Sequence, residues 1–277
     1  MAFALASDQP LRDTLLQVAV SECERALEHL QRGKAEDIHE TRKSIKRLRA
    51  WLRLLRPDLG ERYDTLNALL RDAAGALGGR RDRDVARETL RSLRRGRLLT
   101  ATQYGALLPL IDEALHDAAH VAKANADARR LLKAAGVYLQ SLELPELDDA
   151  SLAERLAHNR ARCRRRWRQA CKRPTAEALH EWRKTVKHLT TQAALLAPRL
   201  PGADAGVGVG VGVGVATLKD LGETLGRHHD HHQLALQLRV EELPDTDLLR
   251  LRLHDALRRR LLQLEQQALR QGGTLFS

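Results

Sequence analysis

One 19-residue segment occurs twice in this chain, and that repeat limits the possible fold more than any other feature. Residues His39–Pro57 read HETRKSIKRLRAWLRLLRP, and residues His180–Pro198 read HEWRKTVKHLTTQAALLAP. In both copies a histidine is followed by Arg, Lys and Lys at the third, fourth and seventh positions. The same offset of 141 residues pairs Leu11 with Leu152 without a gap. A repeat of this length predicts two sequence-related structural halves.

The first copy is predicted to form an amphipathic helix from about Glu36 to Arg56, stopped by Pro57, with one cationic face. At about 100° per residue, the basic side chains fall within about 80° of His39 and the apolar ones gather on the opposite side. Glu40 is rotated away, so we expect no carboxylate to neutralise the row. A row of one sign adds repulsion, which a polyanion would relieve. We call these residues the first basic row: His39, Arg42, Lys43, Lys46, Arg49 and Arg53.

Composition and charge favour a helical protein with an acidic partner. Aromatic residues make up only 3% of the 277 residues, and Leu and Ala dominate the apolar ones, which favours helices. The formal net charge of +11 indicates a partner such as nucleic acid, an anionic membrane surface or a phosphate polymer. We see no signal peptide and no membrane-spanning run, and therefore expect a cytoplasmic protein. The three cysteines form no CxxC pair, so neither a disulfide framework nor a zinc knuckle is expected.

The repeat predicts two helical bundles of four to five helices each, related by a pseudo-twofold axis. The first half covers residues 1–143, an acidic linker covers 144–151, and the second half covers 152–277. The second half carries an extra low-complexity run, AGVGVGVGVGVA. Because glycine disfavours a helix by up to about 1 kcal/mol per residue, we expect residues 201–216 to form a mobile inserted loop. The alternative is a functional strand or a partner-binding segment.

A second repeated motif follows each basic helix. Residues Leu77–Asp84 read LGGRRDRD, and residues Leu225–His232 read LGRHHDHH. The motif pairs Arg81 with His229 and Asp82 with Asp230. Each Asp either orients the neighbouring cation or caps a helix N-terminus. His228 and His232 have the spacing of helical metal ligands, but the first copy has basic or acidic residues there and no histidine, so no metal site is predicted.

Catalysis finds little support in the motifs. The sequence has no P-loop, no GxSxG and no HExxH. His39 and His180 could act as general bases, but neighbouring cations disfavour their protonated forms. Hydrogen bonding to phosphate is the simpler role. We therefore predict a protein that is not an enzyme and needs no cofactor.

These two motifs together resemble the CHAD family, the conserved histidine α-helical domain. The resemblance extends over about Leu11 to Leu269. It implies an all-α fold of two four-helix bundles and a central basic surface that binds inorganic polyphosphate. It also implies a non-catalytic role, association with polyphosphate granules, and a possible partnership with a triphosphate tunnel enzyme of the CYTH type.

The resemblance also implies which residues contact phosphate. In the first half these are His39, Arg42, Lys43, Lys46, Arg47, Arg49 and Arg81. Their counterparts in the second half are His180, Arg183, Lys184, Lys187, His188 and His229. The second copy departs from the motif, since Arg49 becomes Thr190 and Arg53 becomes Ala194. The two halves are therefore not expected to contribute equally.

Two other functions remain open from the sequence. The basic charge also fits a nucleic-acid binder, although such proteins usually stack bases on exposed aromatic side chains. The third possibility is a regulatory partner of an enzyme that processes triphosphate or polyphosphate. For polyphosphate binding we further expect tighter binding at pH 6 than at pH 8, because His188, His228, His229 and His231 would gain charge.

Overall fold

The computed structural model describes the backbone of residues 3–6, 9–114, 121–200, 214–238 and 248–277. It describes the side chains of these residues except 35, 79–82, 112–114, 121–122 and 250. Within these ranges the chain forms eleven helices and no strand. The predicted all-α fold class is therefore confirmed.

The helices follow one another along the chain with short connections. They are α1 (Leu11–Arg32), α2 (Ala35–Leu54), α3 (Arg56–Leu59), α4 (Glu61–Ala76), α5 (Gly79–Arg95), α6 (Ala101–Ala114), α7 (Val121–Gln140), α8 (Asp149–Lys172), α9 (Ala176–Leu196), α10 (Val215–Gln237) and α11 (Leu248–Phe276). No helix in the described part of the chain is long and apolar enough to cross a membrane.

Local sequence explains where the basic helix α2 begins. Gly33 adopts φ 71°, in the left-handed region that glycine tolerates, and its N–H donates to the carbonyl of His29 at the end of α1. Glu36 and Asp37 lie in the first turn of α2, where carboxylates interact favourably with the helix dipole. The helix ends at Leu54, just before Pro57, so its predicted span of about Glu36 to Arg56 is correct to within two residues.

A hydrogen-bonded cap marks the start of α8. The Ser151 N–H donates to Asp148 Oδ1 at 2.8 Å, and the Ser151 hydroxyl donates to the Asp148 carbonyl at 2.8 Å. Residues 142–148 before it carry no helix. The predicted linker 144–151 therefore consists of the connection from α7 and the first turn of α8.

The chain packs into two compact units. The first unit comprises residues Met1–Gly78, His120–Arg165 and Lys184–Lys219. In it α1 packs on α2, α2 on α4, α4 on α7, and α7 on α1, which is the closed neighbour pattern of a four-helix bundle. Its core includes the fully buried side chains of Trp51, Leu15, Ile45 and Leu66.

Residues from α8 and α9 complete this first unit through polar contacts. Arg155 on α8 forms a two-pronged ion pair with the carboxylate of Asp58, with 2.8 Å between Nη2 and Oδ1. On α9 the Gln192 amide donates to the Ala50 carbonyl of α2 at 2.8 Å, and both residues are buried. This bond holds α9 directly against the basic helix.

The second unit comprises residues Gly79–Ala119, Arg166–Arg183 and Asp220–Ser277. Its main core joins α5, α6, α10 and α11 through apolar side chains such as Leu90, Leu107, Leu234 and Leu257. Elsewhere in this unit Trp167 and Trp182 pack against Gly272 on α11.

Each unit takes residues from both predicted halves. The second unit takes α5 and α6 from the first half, and α8 and α9 contribute to both units. The halves, 1–143 and 152–277, are defined by the sequence repeat rather than by packing. Their relation by a pseudo-twofold axis stays a prediction.

The predicted Gly-Val loop falls mainly outside the described residues, which resume at 214. Its predicted end at residue 216 lies two residues into α10, which begins at Val215. The Gly214 carbonyl already accepts the N–H of Leu218 at 3.1 Å, so the first helical turn starts at the end of the glycine run.

Candidate functional site

The first basic row lies on α2 with its cations at different depths. His39, Lys43 and Lys46 are exposed, whereas Arg42, Arg49 and Arg53 are half-buried. The row therefore combines lysines that reach into solvent with guanidinium groups held closer to the protein surface.

Carboxylates neutralise two of the predicted α2 ligands. Lys43 Nζ lies 3.1 Å from Glu40, which lowers the pKa of that carboxyl group. Arg47 donates to Glu22 of α1 at 2.9 Å, and Glu22 also accepts from Arg25 at 2.7 Å. The prediction that no carboxylate neutralises the row is wrong at Lys43. A lysine is long enough to reach a carboxylate three residues away, even when the two side chains leave the helix at different angles.

Neutral groups hold the half-buried arginines of the row. Arg42 donates to the Ala74 carbonyl at 2.9 Å, and Arg49 Nε donates to Asn67 Oδ1 at 3.2 Å. The guanidinium of Arg53 lies 5.7 Å from the centre of the Tyr63 ring. Among the described residues, neither Arg49 nor Arg53 pairs with a carboxylate. The contacts of Arg49 and Arg53 fix the direction of each cation without cancelling its charge.

His188 on α9 lies among four cations from three helices. Its pKa is lowered to about 3, mainly by burial and additionally by the charges of Arg53, Arg49, Arg162 and Lys184 within the same unit. We call these five residues the His188 cluster. It brings the end of the first basic row together with the second repeat copy.

The sequence reasoning missed Arg162 of α8. The sequence does contain an indication of a basic patch there, the arginine-rich run RARCRRRWR. This run has no carboxylate and contains Arg160, Arg162, Arg164, Arg165, Arg166 and Arg168. This run lies outside the repeated motif, and the structure shows that one of its residues faces the second copy of that motif.

His180 and His229 form a close pair in the second unit. Their Nδ1 atoms are 3.1 Å apart and their ring centroids 4.4 Å apart. Burial lowers the pKa of His229 to about 4, and the charge of Arg183 contributes to the shift. Arg183 lies over Gly226, where a Cβ atom would be 3.7 Å from its Nε. The contact between the two repeated motifs, α9 and LGRHHDHH, is thus present in this half.

The remaining predicted ligands have varied positions. Lys184 and Lys187 are exposed on α9. The side chains of Arg81 and Asp82 lie outside the described residues, although both backbones belong to α5, whose first residue is Gly79. Asp230 lies deep inside α10, so the helix-cap alternative is wrong for it.

The expected charging of four histidines near neutral pH is wrong. Burial lowers the pKa of His188 to about 3 and lowers the values for His228, His229 and His231 to about 4. These side chains are therefore neutral from pH 6 to pH 8. No group of three possible metal ligands occurs among the described residues.

Comparison with known proteins gives the fold and the family. A solved structure described as PptA from Streptomyces chartreusis is similar with a TM-score of 0.66, covering 96% of this chain and 100% of that chain. At 18% identity this likeness shows the fold alone. No curated protein matches the chain. The CHAD domain model matches residues 14–239, which is most of the chain, and the chain therefore belongs to the CHAD domain family.

Proposed function

We propose that this protein binds inorganic polyphosphate through the first basic row of α2 and the His188 cluster. The observation that carries this proposal is the convergence of Arg49, Arg53, Arg162 and Lys184 around a half-buried neutral histidine. Like charges held together repel one another, and a bound polyanion relieves that repulsion. The family membership supports a function related to polyphosphate.

The chemistry of the cluster suits a string of phosphate groups. Arginine presents a planar fork of donors that matches phosphate oxygens, and lysine adds a compact charge. Because Asn67 and Tyr63 already orient Arg49 and Arg53, binding loses less side-chain entropy than it would with free guanidinium groups. The exposed Lys46 and His39 extend the cationic surface along α2.

The aromatic residues favour polyphosphate over nucleic acid. Trp51 and Trp182 are fully buried, and Trp167 packs with Phe276 at 6.4 Å between ring centroids. None of these three tryptophans is available as an exposed stacking platform, which single-stranded nucleic-acid binders usually use. A polymer without bases needs no such platform.

The proposed role is binding rather than catalysis. It suits a cytoplasmic protein on polyphosphate granules, or a partner that presents polyphosphate to a CYTH-type triphosphate enzyme. Incubation with polyphosphate and magnesium tests the non-catalytic part, because release of orthophosphate would contradict it.

A competition experiment tests the binding itself. Full-length protein is titrated with fluorescently labelled long-chain polyphosphate, and unlabelled polyphosphate or single-stranded RNA of equal charge is then added. We expect polyphosphate to displace the label at far lower concentration than RNA, and binding to weaken steeply with salt. Equal displacement by RNA would favour the nucleic-acid function instead.

A further inference from the structure

The second unit contains a cavity that the proposed function does not use. It has a volume of about 530 Å³ and lies between α5, α10 and α11. Cavities of this size are typical of small-molecule sites. Its lining includes Arg227, Arg260, His231 and Ser92, all within the second unit.

Two arginines that face this cavity are each hydrogen-bonded to a neutral side chain. Arg227 donates to the Thr224 hydroxyl at 3.3 Å, and Arg260 donates to the Gln263 side-chain carbonyl at 3.3 Å. Neither forms an ion pair with a carboxylate in the part of the chain that the structure describes. Desolvation lowers the pKa of Arg260, and the neighbouring Arg227 lowers it further. The two guanidinium groups are thus close enough to repel each other.

The cavity has two carboxylates, which do not cancel its positive charge. Glu88 already accepts from both Arg91 and Arg95, so its charge is engaged outside the Arg227–Arg260 pair. Asp230 also lines the cavity. Three arginines, Arg95, Arg227 and Arg260, oppose these two acids, so the lining keeps an excess of positive charge.

A buried histidine–serine pair supplies further polar groups. His231 Nδ1 lies 2.7 Å from the Arg227 carbonyl, which can only accept, so the proton of the neutral ring is on Nδ1. Its Nε2 then faces the Ser92 hydroxyl at 3.2 Å. His231 is only 2% exposed, so the surrounding protein holds its ring in place. The Ser92 hydroxyl can rotate between His231 and the Thr89 carbonyl, which lies 2.7 Å away.

We infer that this cavity is a second anion site, one that binds a phosphate group between Arg227 and Arg260 beside the Ser92–His231 pair. Two guanidinium forks match a tetrahedral oxyanion, and the bound charge removes their mutual repulsion. The phosphate comes either from a free small molecule or from the end of a polyphosphate chain. The site shares no residue with the His188 cluster, so it does not depend on the proposed function.

Calorimetric titration of the full-length protein with orthophosphate and, separately, with tripolyphosphate tests this inference. We expect Arg227→Gln with Arg260→Gln to weaken binding at least tenfold. The Arg32→Gln, Arg130→Gln variant, which removes the same charge from exposed positions of the first unit, should keep the orthophosphate affinity of the wild type. Binding of orthophosphate identifies a free phosphate as the ligand, and binding of tripolyphosphate alone identifies a chain end.

A measurement on the wild type covers the case in which the double variant does not fold. With ¹⁵N-labelled histidine, the ring signals of His231 should move on addition of whichever probe binds, because the ring lies beside the site. Two outcomes overturn the inference. One is that neither probe binds the wild type. The other is that a probe binds while the His231 signals stay in place or the Arg227→Gln, Arg260→Gln variant keeps full affinity.

Discussion

Arg47 on α2 donates to Glu22 on α1 at 2.9 Å, and only 1% of the Glu22 side chain is exposed. At the 141-residue offset, the corresponding residues of the second half are His188 and Cys163. Cys163 is buried, and the pKa of His188 is lowered to about 3. The first half thus has a charged pair at positions where the second half has a buried thiol and a neutral histidine.

We therefore expect Arg47 to contribute more to stability than to ligand binding. Arg47→Ala leaves the buried Glu22 with Arg25 alone and should lower the free energy of unfolding by about 2–3 kcal/mol. Lys46→Ala, at the neighbouring exposed position, should change it by less than about 0.5 kcal/mol. Urea denaturation of both variants measures the difference, and equal stabilities would contradict a structural role for the Arg47–Glu22 pair.

The Arg47–Glu22 pair leads to a second, independent prediction. Glu22→Cys combined with Arg47→His gives the first half the residues of the second. Because both partners then become neutral together, the double variant should be more stable than Glu22→Cys or Arg47→His alone. Urea denaturation of all three variants measures this coupling, and additive losses would indicate that the two positions do not interact.

Removing the two α2 arginines of the His188 cluster should weaken polyphosphate binding. Arg49→Gln with Arg53→Gln removes two oriented cations, and charge-assisted hydrogen bonds are worth about 1.5–3 kcal/mol each. We expect at least a tenfold rise in Kd and a shallower dependence of log Kd on log salt concentration. Fluorescence anisotropy with labelled polyphosphate measures both.

A charge-matched control separates this effect from net charge. Arg32→Gln with Arg130→Gln removes the same two charges from exposed positions of the same unit, where the side chains are 56% and 73% exposed. This control should bind nearly as the wild type does. If both double variants lose the same affinity, then overall charge rather than the cluster determines binding.

Stability should fall as the pH drops below neutrality. The pKa values of His228 and His231 are about 4 in the folded protein, against 6.5 for an unperturbed histidine. Below pH 6.5 the unfolded chain therefore takes up protons that the folded chain does not, so stability present above pH 6.5 is lost toward pH 4. Each histidine should cost about 1.4 kcal/mol between pH 7.5 and pH 5.5.

Thermal unfolding at several pH values checks this sign. Replacement of His228 and His231 by Asn should remove about half of the pH dependence, since His188 and His229 are shifted in the same direction. A melting temperature that stays constant from pH 7.5 to pH 5.5 would mean that these histidines are not held neutral.

Two adjacent glycines of α11 should respond oppositely to alanine. A Cβ at Gly272 would lie 2.5 Å from Trp167 Cδ1 and 2.7 Å from Trp182 Cη2, whereas a Cβ at Gly273 would meet Trp167 at 3.9 Å. Gly272→Ala should destabilise by about 1–3 kcal/mol through overpacking. Gly273→Ala should stabilise by up to about 1 kcal/mol through helix propensity. Chemical denaturation measures both, and equal effects would contradict the close packing at Gly272.

The sequence was sufficient to predict the features that depend on neighbouring residues, such as where a helix begins and ends and which of its faces is basic. The bounds of α2 follow from Gly33 and Pro57, and its basic face follows from helical spacing. The neutralisation of Arg47 could not be predicted, because Glu22 lies 25 residues earlier on another helix.

Burial was the other limit on prediction. Four histidines within the five positions 228–232 suggest a surface that gains charge near neutral pH, yet His228 and His231 are 5% and 2% exposed. Residue type alone carries no information on desolvation, which reverses the expected titration. The same applies to Arg162, whose position beside His188 depends on how α8 and α9 pack.

The division of α9 between the two units affects how the protein is made. The first unit needs residues as far as Lys219, including Leu195, whose carbonyl accepts the N–H of Leu5 at 3.0 Å. A nascent chain that has emerged only to residue 143 contains the bundle helices α1, α2, α4 and α7. It lacks the contacts that α8 and α9 make with these helices. Because domains fold as units during synthesis, the basic helix on the ribosome stays without its His188 neighbours until most of the polypeptide has been translated.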